Sequence, residues 1–109
     1  MHVTTDDGAR IYVEAAPDNG KPPILFSNSL GTNLHMWDAQ MEPFGEHFRI
    51  IRYDSRGHGR SDAPKGPYTV ERLGRDAVAV LNAVGVKKTY FCGLSKGGMV
   101  GQWLGAHAP

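Results

Sequence analysis

At 109 residues the chain is long enough for one small domain with a single core. Hydrophobic residues make up 40% of it and charged residues 21%, and a formal net charge of +1 gives no electrostatic case for binding nucleic acid or an anionic membrane surface. No apolar run approaches the roughly 20 residues that span a bilayer. The polar start over residues 1–8 lacks the apolar segment of a secretory signal, and the single cysteine, Cys92, excludes an internal disulfide and fits a reducing cytoplasm.

Thr4 and Thr5 on one side and residues 11–15 on the other flank Asp6-Asp7-Gly8, a hairpin turn signal. Ile11 and Val13 alternate with Tyr12 and Glu14, the period of a strand with one buried face. Residues 17–23 are rich in Pro, Asp, Asn and Gly and read as loop. Residues 24–27 (Ile-Leu-Phe-Ser) are the continuous apolar run of a strand covered on both faces. Residues 34–44 predict a short helix, with Trp37, Met41 and Phe44 on one stripe that reads as an ordinary core face. Residues 48–53 predict another strand, and residues 54–62 (Asp-Ser-Arg-Gly-His-Gly-Arg-Ser-Asp) a turn-rich loop.

Thr69 is placed to N-cap a helix carrying Val70, Leu73, Ala77, Val80, Leu81 and Val84 at helical spacing, with Gly85 ending it. A last strand over residues 88–92 places Cys92 in the core as a small hydrophobe. A final helix over residues 99–107 stops at Pro109. No internal repeat, low-complexity tract or linker interrupts this order. A hairpin followed by strand–helix units predicts an α/β sheet that becomes parallel, with helices on its faces. Ligands of such sheets bind at the carboxyl ends of the strands, where residues 28–31, residues 54–62 and Ser95 all fall.

Residues 93–98 read Gly-Leu-Ser-Lys-Gly-Gly, between a strand pattern and a helix pattern. This is the G-x-S-x-G spacing of a nucleophile elbow. A serine at the tip of so sharp a turn needs a strained backbone, and glycines two residues before (Gly93) and two after (Gly97) remove β-carbons that would collide as strand and helix close up. The turn projects the Ser95 hydroxyl off the sheet and leaves free N–H groups at a helix start, where developing negative charge is stabilised. The plainer alternative, a glycine-rich turn with an exposed serine, is disfavoured by the correct context on both sides.

A serine hydroxyl needs a base, yet none of the five histidines (His2, His35, His47, His58, His107) stands at a usable place after Ser95. His58, between Gly57 and Gly59, reads as part of a structural turn. His35 reads as packing or hydrogen-bonding, and His107 as exposed. Asp54 and Arg56 read as a local pair that fixes their loop. No Cys/His/Asp/Glu cluster has metal-ligand spacing, and no G-x-G-x-x-G or P-loop calls for a nucleotide, so neither cofactor nor metal is expected.

Three segments together carry a family resemblance. Residues 28–37 (Asn-Ser-Leu-Gly-Thr-Asn-Leu-His-Met-Trp) resemble the segment after strand 3 of the α/β-hydrolases, residues 54–62 resemble their D-x-R-G-x-G-x-S loop, and residues 93–98 their elbow. Most members have His-Gly where this chain has Asn28 and Ser29. The variant seen here is similar to the 3-oxoadipate enol-lactonases of bacterial aromatic catabolism (the β-ketoadipate pathway). The resemblance implies a cofactor-free, cytoplasmic serine hydrolase acting on a small lactone or ester. Ser95 would be its nucleophile, and the backbone N–H groups of Leu30 and Lys96 its oxyanion hole. The Lys96 ammonium either attracts the substrate carboxylate or is solvated and turned away, the reading that the rarity of buried lysines favours.

Members of the family are much longer, and their order of catalytic residues is Ser, then acid, then His. The expectation is therefore that residues 1–109 form the N-terminal part of a single α/β-hydrolase domain, lacking the C-terminal strands, the cap and two triad members, and inactive alone. A second chain or a C-terminal half would complete it. The strand ending at Cys92 would become an exposed apolar edge, favouring association. Other α/β-hydrolase activities (carboxylesterase, haloperoxidase-like, carbon–carbon bond hydrolase) and a non-catalytic docking subunit are the alternatives.

Overall fold

The computed structural model describes all of residues 1–109. Strands β1 (His2–Thr4) and β2 (Arg10–Ala15) pair antiparallel with Val3 opposite Ile11. The Asp6-Asp7-Gly8 turn joins them, closed by a 2.8 Å bond from Thr5 N–H to Ala9 O. The predicted alternation in β2 is present, with Ile11 and Val13 buried and Tyr12 and Glu14 half-buried.

Strands β3 (Pro23–Ser27), β4 (Arg49–Tyr53) and β5 (Tyr90–Gly93) complete a five-stranded sheet of order β1-β2-β4-β3-β5. β2 runs antiparallel to β4, whereas β3 runs parallel to both β4 and β5. The sheet thus turns parallel at its centre, as the strand–helix order predicts. β3 lies between two parallel partners with Leu25, Phe26 and Ser27 wholly buried, which accounts for its uninterrupted apolar run.

Alternate residues serve two cores. Leu25 and Ile51 join Ile11 and Val13 against Leu73, Ala77 and Val80 of α2 (Val70–Ala83) and Val100 of α3 (Lys96–His107). Ile24, Phe26 and Ile50 belong to a second cluster with Trp37, around which Met41, Phe44 and Phe48 pack. Phe26 and Trp37 stack with ring centroids 4.7 Å apart. Both ends of α2 follow the sequence: Thr69 Oγ1 accepts from Arg72 N–H at 3.0 Å, and Gly85 adopts a φ of +74°.

Residues 34–44 differ from the single predicted helix. A 3-10 turn covers Leu34–Trp37, and a separate helix α1 covers Asp38–Gly45. A continuous α-helix would have Asp38 N–H donate to Leu34 O. Arg52 Nη1 donates to that carbonyl instead, at 3.1 Å, and Asp38 N–H donates to His35 O. The apolar stripe survives the break, with Trp37 buried and Met41 and Phe44 half-buried against the sheet. Cys92, expected in the core, is only half-buried because β5 is an edge strand. No helix is long and apolar enough to cross a membrane.

Candidate active site

The carboxyl ends of β3, β4 and β5 come level at one edge of the sheet. The register sets Phe26 opposite Arg52 and Ser27 opposite Gly93, and the Ser27 and Tyr53 hydroxyls bond at 2.8 Å. Segments 28–31, 54–62 and 94–98 leave the sheet there.

Between β5 and α3, Ser95 has φ 56° and ψ −112°, the only positive φ at a non-glycine residue. Such a conformation costs on the order of 1–3 kcal/mol and persists only where its surroundings impose it. Those surroundings are the two glycines of the motif. A β-carbon on Gly93 would lie 2.4 Å from Gly97 O, and one on Gly97 would lie 2.2 Å from Ser27 O. Strand, elbow and helix therefore meet backbone to backbone, and the crossing dictates the five-residue spacing. Leu94 N–H donates to Ser27 O at 3.3 Å and ties the elbow to β3.

Ser95 is exposed and caps α3 without a side-chain hydrogen bond. α3 starts at Lys96 rather than at the predicted Met99. The Lys96 side chain is half-buried, and burial pulls its ammonium below the usual lysine range. It is thus less solvated than the favoured sequence reading expects, and it pairs with no carboxylate of the chain.

The segment after β3 is anchored on both sides of Leu30. Asn28 is buried and donates from Nδ2 to Tyr53 O at 2.9 Å, while its Oδ1 accepts from Trp37 Nε1 at 2.8 Å. Thr32 Oγ1 donates to Ser29 O at 2.7 Å, and Gly31 N–H donates to His58 Nε2 at 3.0 Å. Leu30 is 73% exposed. Neither its N–H nor that of Lys96 donates to a protein acceptor. Leu94 and Met99, on either side of Ser95 in the chain, stand exposed, as does Leu30.

The loop after β4 is built the opposite way. Asp54 is buried, its Oδ1 accepting from Leu34 N–H at 2.7 Å and its Oδ2 from Arg60 N–H at 2.9 Å. Arg56, also buried, bonds Asp76 through Nε at 2.6 Å and Nη2 at 2.8 Å, and Asp7 through Nη1 at 2.8 Å and Nη2 at 3.1 Å. The expected Asp54–Arg56 pair does not form. Two bidentate carboxylates from the hairpin turn and from α2 match the planar guanidinium better than a carboxylate already filled by backbone donors. The Arg56 hydrogen bond, followed by that from Thr5, holds the Asp7 carboxyl well below the usual carboxylate range.

None of the five histidines bonds to Ser95. His2 Nε2 contacts Arg60 O, His35 pairs with Asp38 at 3.2 Å, and His107 lies against Trp103. His58 contacts Gly31 N–H and Arg56 O, so its reading as a turn residue holds, but its partner across the sheet edge is 27 residues away and carries no sequence signal. No three His, Cys, Asp or Glu side chains are grouped to hold a metal ion.

A mixed sheet whose parallel strands lead into a strained serine elbow defines the class, and the comparisons agree. Residues 22–109 match the family described as alpha/beta hydrolase fold, and the chain belongs to that family. It is 48% identical over 89 residues to 3-oxoadipate enol-lactonase 2 of Acinetobacter baylyi, covering 82% of this chain and 33% of that protein. A crystal structure of a hydrolase from Pseudomonas aeruginosa is similar with a TM-score of 0.97 and 50% identity, over 100% of this chain and 41% of that one. The enol-lactonase from Burkholderia xenovorans gives a TM-score of 0.93 at 39% identity, over 99% of this chain and 42% of that one. The chain thus spans well under half the length of these relatives.

Proposed function

We propose that residues 1–109 are the N-terminal part of a single hydrolase domain that opens 3-oxoadipate enol-lactone to 3-oxoadipate in the cytoplasmic breakdown of aromatic compounds. The observation that carries this reading is the backbone of Ser95, held at positive φ where Gly93 and Gly97 let β5, α3 and β3 meet backbone to backbone. In this mechanism Ser95 Oγ attacks the lactone carbonyl and forms an acyl-enzyme. The N–H groups of Leu30 and Lys96 hold the oxyanion. A histidine outside these residues takes the serine proton and passes it to the departing enolate oxygen, and an acidic residue orients that histidine. Water then releases the acid and regenerates Ser95. The half-buried Lys96 adds a positive charge beside the site of an anionic substrate.

The two missing triad members come from polypeptide beyond residue 109 or from a second chain, and the isolated 109-residue chain is inactive. The unpaired edge of β5 supports this reading, since it offers further strands a place to pair. The test compares hydrolysis of the enol-lactone with that of a p-nitrophenyl ester by the complete enzyme, with Ser95→Ala alongside. A strong preference for the lactone, lost in Ser95→Ala, supports the assignment. A preference for the simple ester makes the protein a general carboxylesterase, and activity surviving in Ser95→Ala removes the serine from the mechanism.

A further inference from the structure

Leu30 needs a fixed position if its N–H is to meet an oxyanion, because such donors act by being preorganised. Yet it sits at the exposed tip of its segment, and its neighbour Gly31 has a φ of +76°, a conformation that costs glycine nothing and therefore does not stiffen the chain. The contacts of Thr32 with Ser29 O and Met36 Sδ are local. Between the anchors at Asn28 and Leu34, the bond from Gly31 N–H to His58 Nε2 is the one hydrogen bond that ties the tip to a distant part of the chain.

The chemistry of that bond fixes the state of the ring. A backbone N–H only donates, so Nε2 must carry a lone pair. A backbone carbonyl only accepts, so the 3.1 Å contact of Nδ1 with Arg56 O requires a hydrogen on Nδ1. Both contacts exist together only in the neutral Nδ1–H tautomer. Arg56 in turn is locked by Asp7 and Asp76. A continuous path of hydrogen bonds thus runs from α2 through Arg56 and His58 to the residue next to Leu30.

We infer that His58 is a positioning residue for catalysis: by accepting the Gly31 N–H it holds the Leu30 N–H where the oxyanion forms. This rests on the hydrolase reading and adds to it a residue that touches neither substrate nor Ser95. The side chain of Gln reaches as far as Nε2 and can present an oxygen to Gly31. That of Asn reaches only as far as Nδ1, keeping the Arg56 contact while losing Gly31.

The experiment measures kcat and KM of the complete enzyme and amide hydrogen exchange at Gly31, for wild type, His58→Asn and His58→Gln. His58→Asn is expected to lower kcat about tenfold to a hundredfold with KM unchanged, below the cost of deleting an oxyanion donor outright. Its Gly31 amide should exchange at least about tenfold faster. His58→Gln should recover most of both. Wild-type kcat in His58→Asn, or a Gln variant no better than the Asn variant, overturns the inference. A wild-type enzyme without Ser95-dependent hydrolysis overturns the function proposed above, and with it the catalytic role of His58. The Gly31 exchange rate then decides the tether by itself.

Discussion

The loop after β4 and the elbow after β5 leave the same edge of one sheet and treat their polar groups in opposite ways. In the first, the buried charges of Asp54 and Arg56 are filled by partners from three other parts of the chain. In the second, the serine hydroxyl and the N–H of Lys96 have no protein partner, and the backbone is strained. A satisfied polar group stabilises a fold, whereas a preorganised unsatisfied one is available to a substrate.

Substitutions at the two places should separate activity from stability. Ser95→Ala is expected to reduce turnover of the complete enzyme by about 10⁴-fold or more. It should leave stability within about 0.5 kcal/mol, because an exposed hydroxyl without partners is removed. Steady-state rates and urea denaturation read the two effects. Arg56→Met should do the reverse, costing about 3–4 kcal/mol in urea denaturation by leaving buried Asp76 with only Arg72. Similar stabilities for the two variants would erase the contrast.

Gly97→Ala tests whether the elbow depends on backbone contact. Its β-carbon would meet Ser27 O, which cannot swing aside as a side chain would, and a loss of about 2–3 kcal/mol is expected by urea denaturation. The smallest effect is the acid response. Asp7 has a folded pKa depressed below its unfolded value, so its contribution is present above the unfolded pKa of about 4 and fades as pH falls below it. Urea midpoints should drop below about pH 4, and Asp7→Asn should flatten that part of the profile. An unchanged profile would mean the Arg56 contact contributes nothing to stability.

Much of this architecture was legible because its causes are local. The alternation in β2, the apolar run of β3, the Thr69 cap and Gly85 each act within a few residues, and all appear where the sequence places them. The elbow was legible because a backbone crossing forces glycines to fixed positions. The break at Asp38 was not, since it depends on Arg52 taking a carbonyl 18 residues away in sequence. The early start of α3 was hidden by Gly97 and Gly98, which are weak helix formers held in place by packing. The partners of Arg56 lie 49 and 20 residues away, and no periodicity encodes them.

The strand order has a consequence for how the protein is made. β3 is flanked by β4 and β5, both of which come later in the chain, so its two edges are filled one after the other as synthesis proceeds from the N-terminus. Arg56 and Asp76 both leave the ribosome before Ser95 does. The bend at Ser95 is thus imposed on a foundation whose members have already emerged. A nascent chain stalled just after α2 would hold every partner of the ion cluster and none of the elbow.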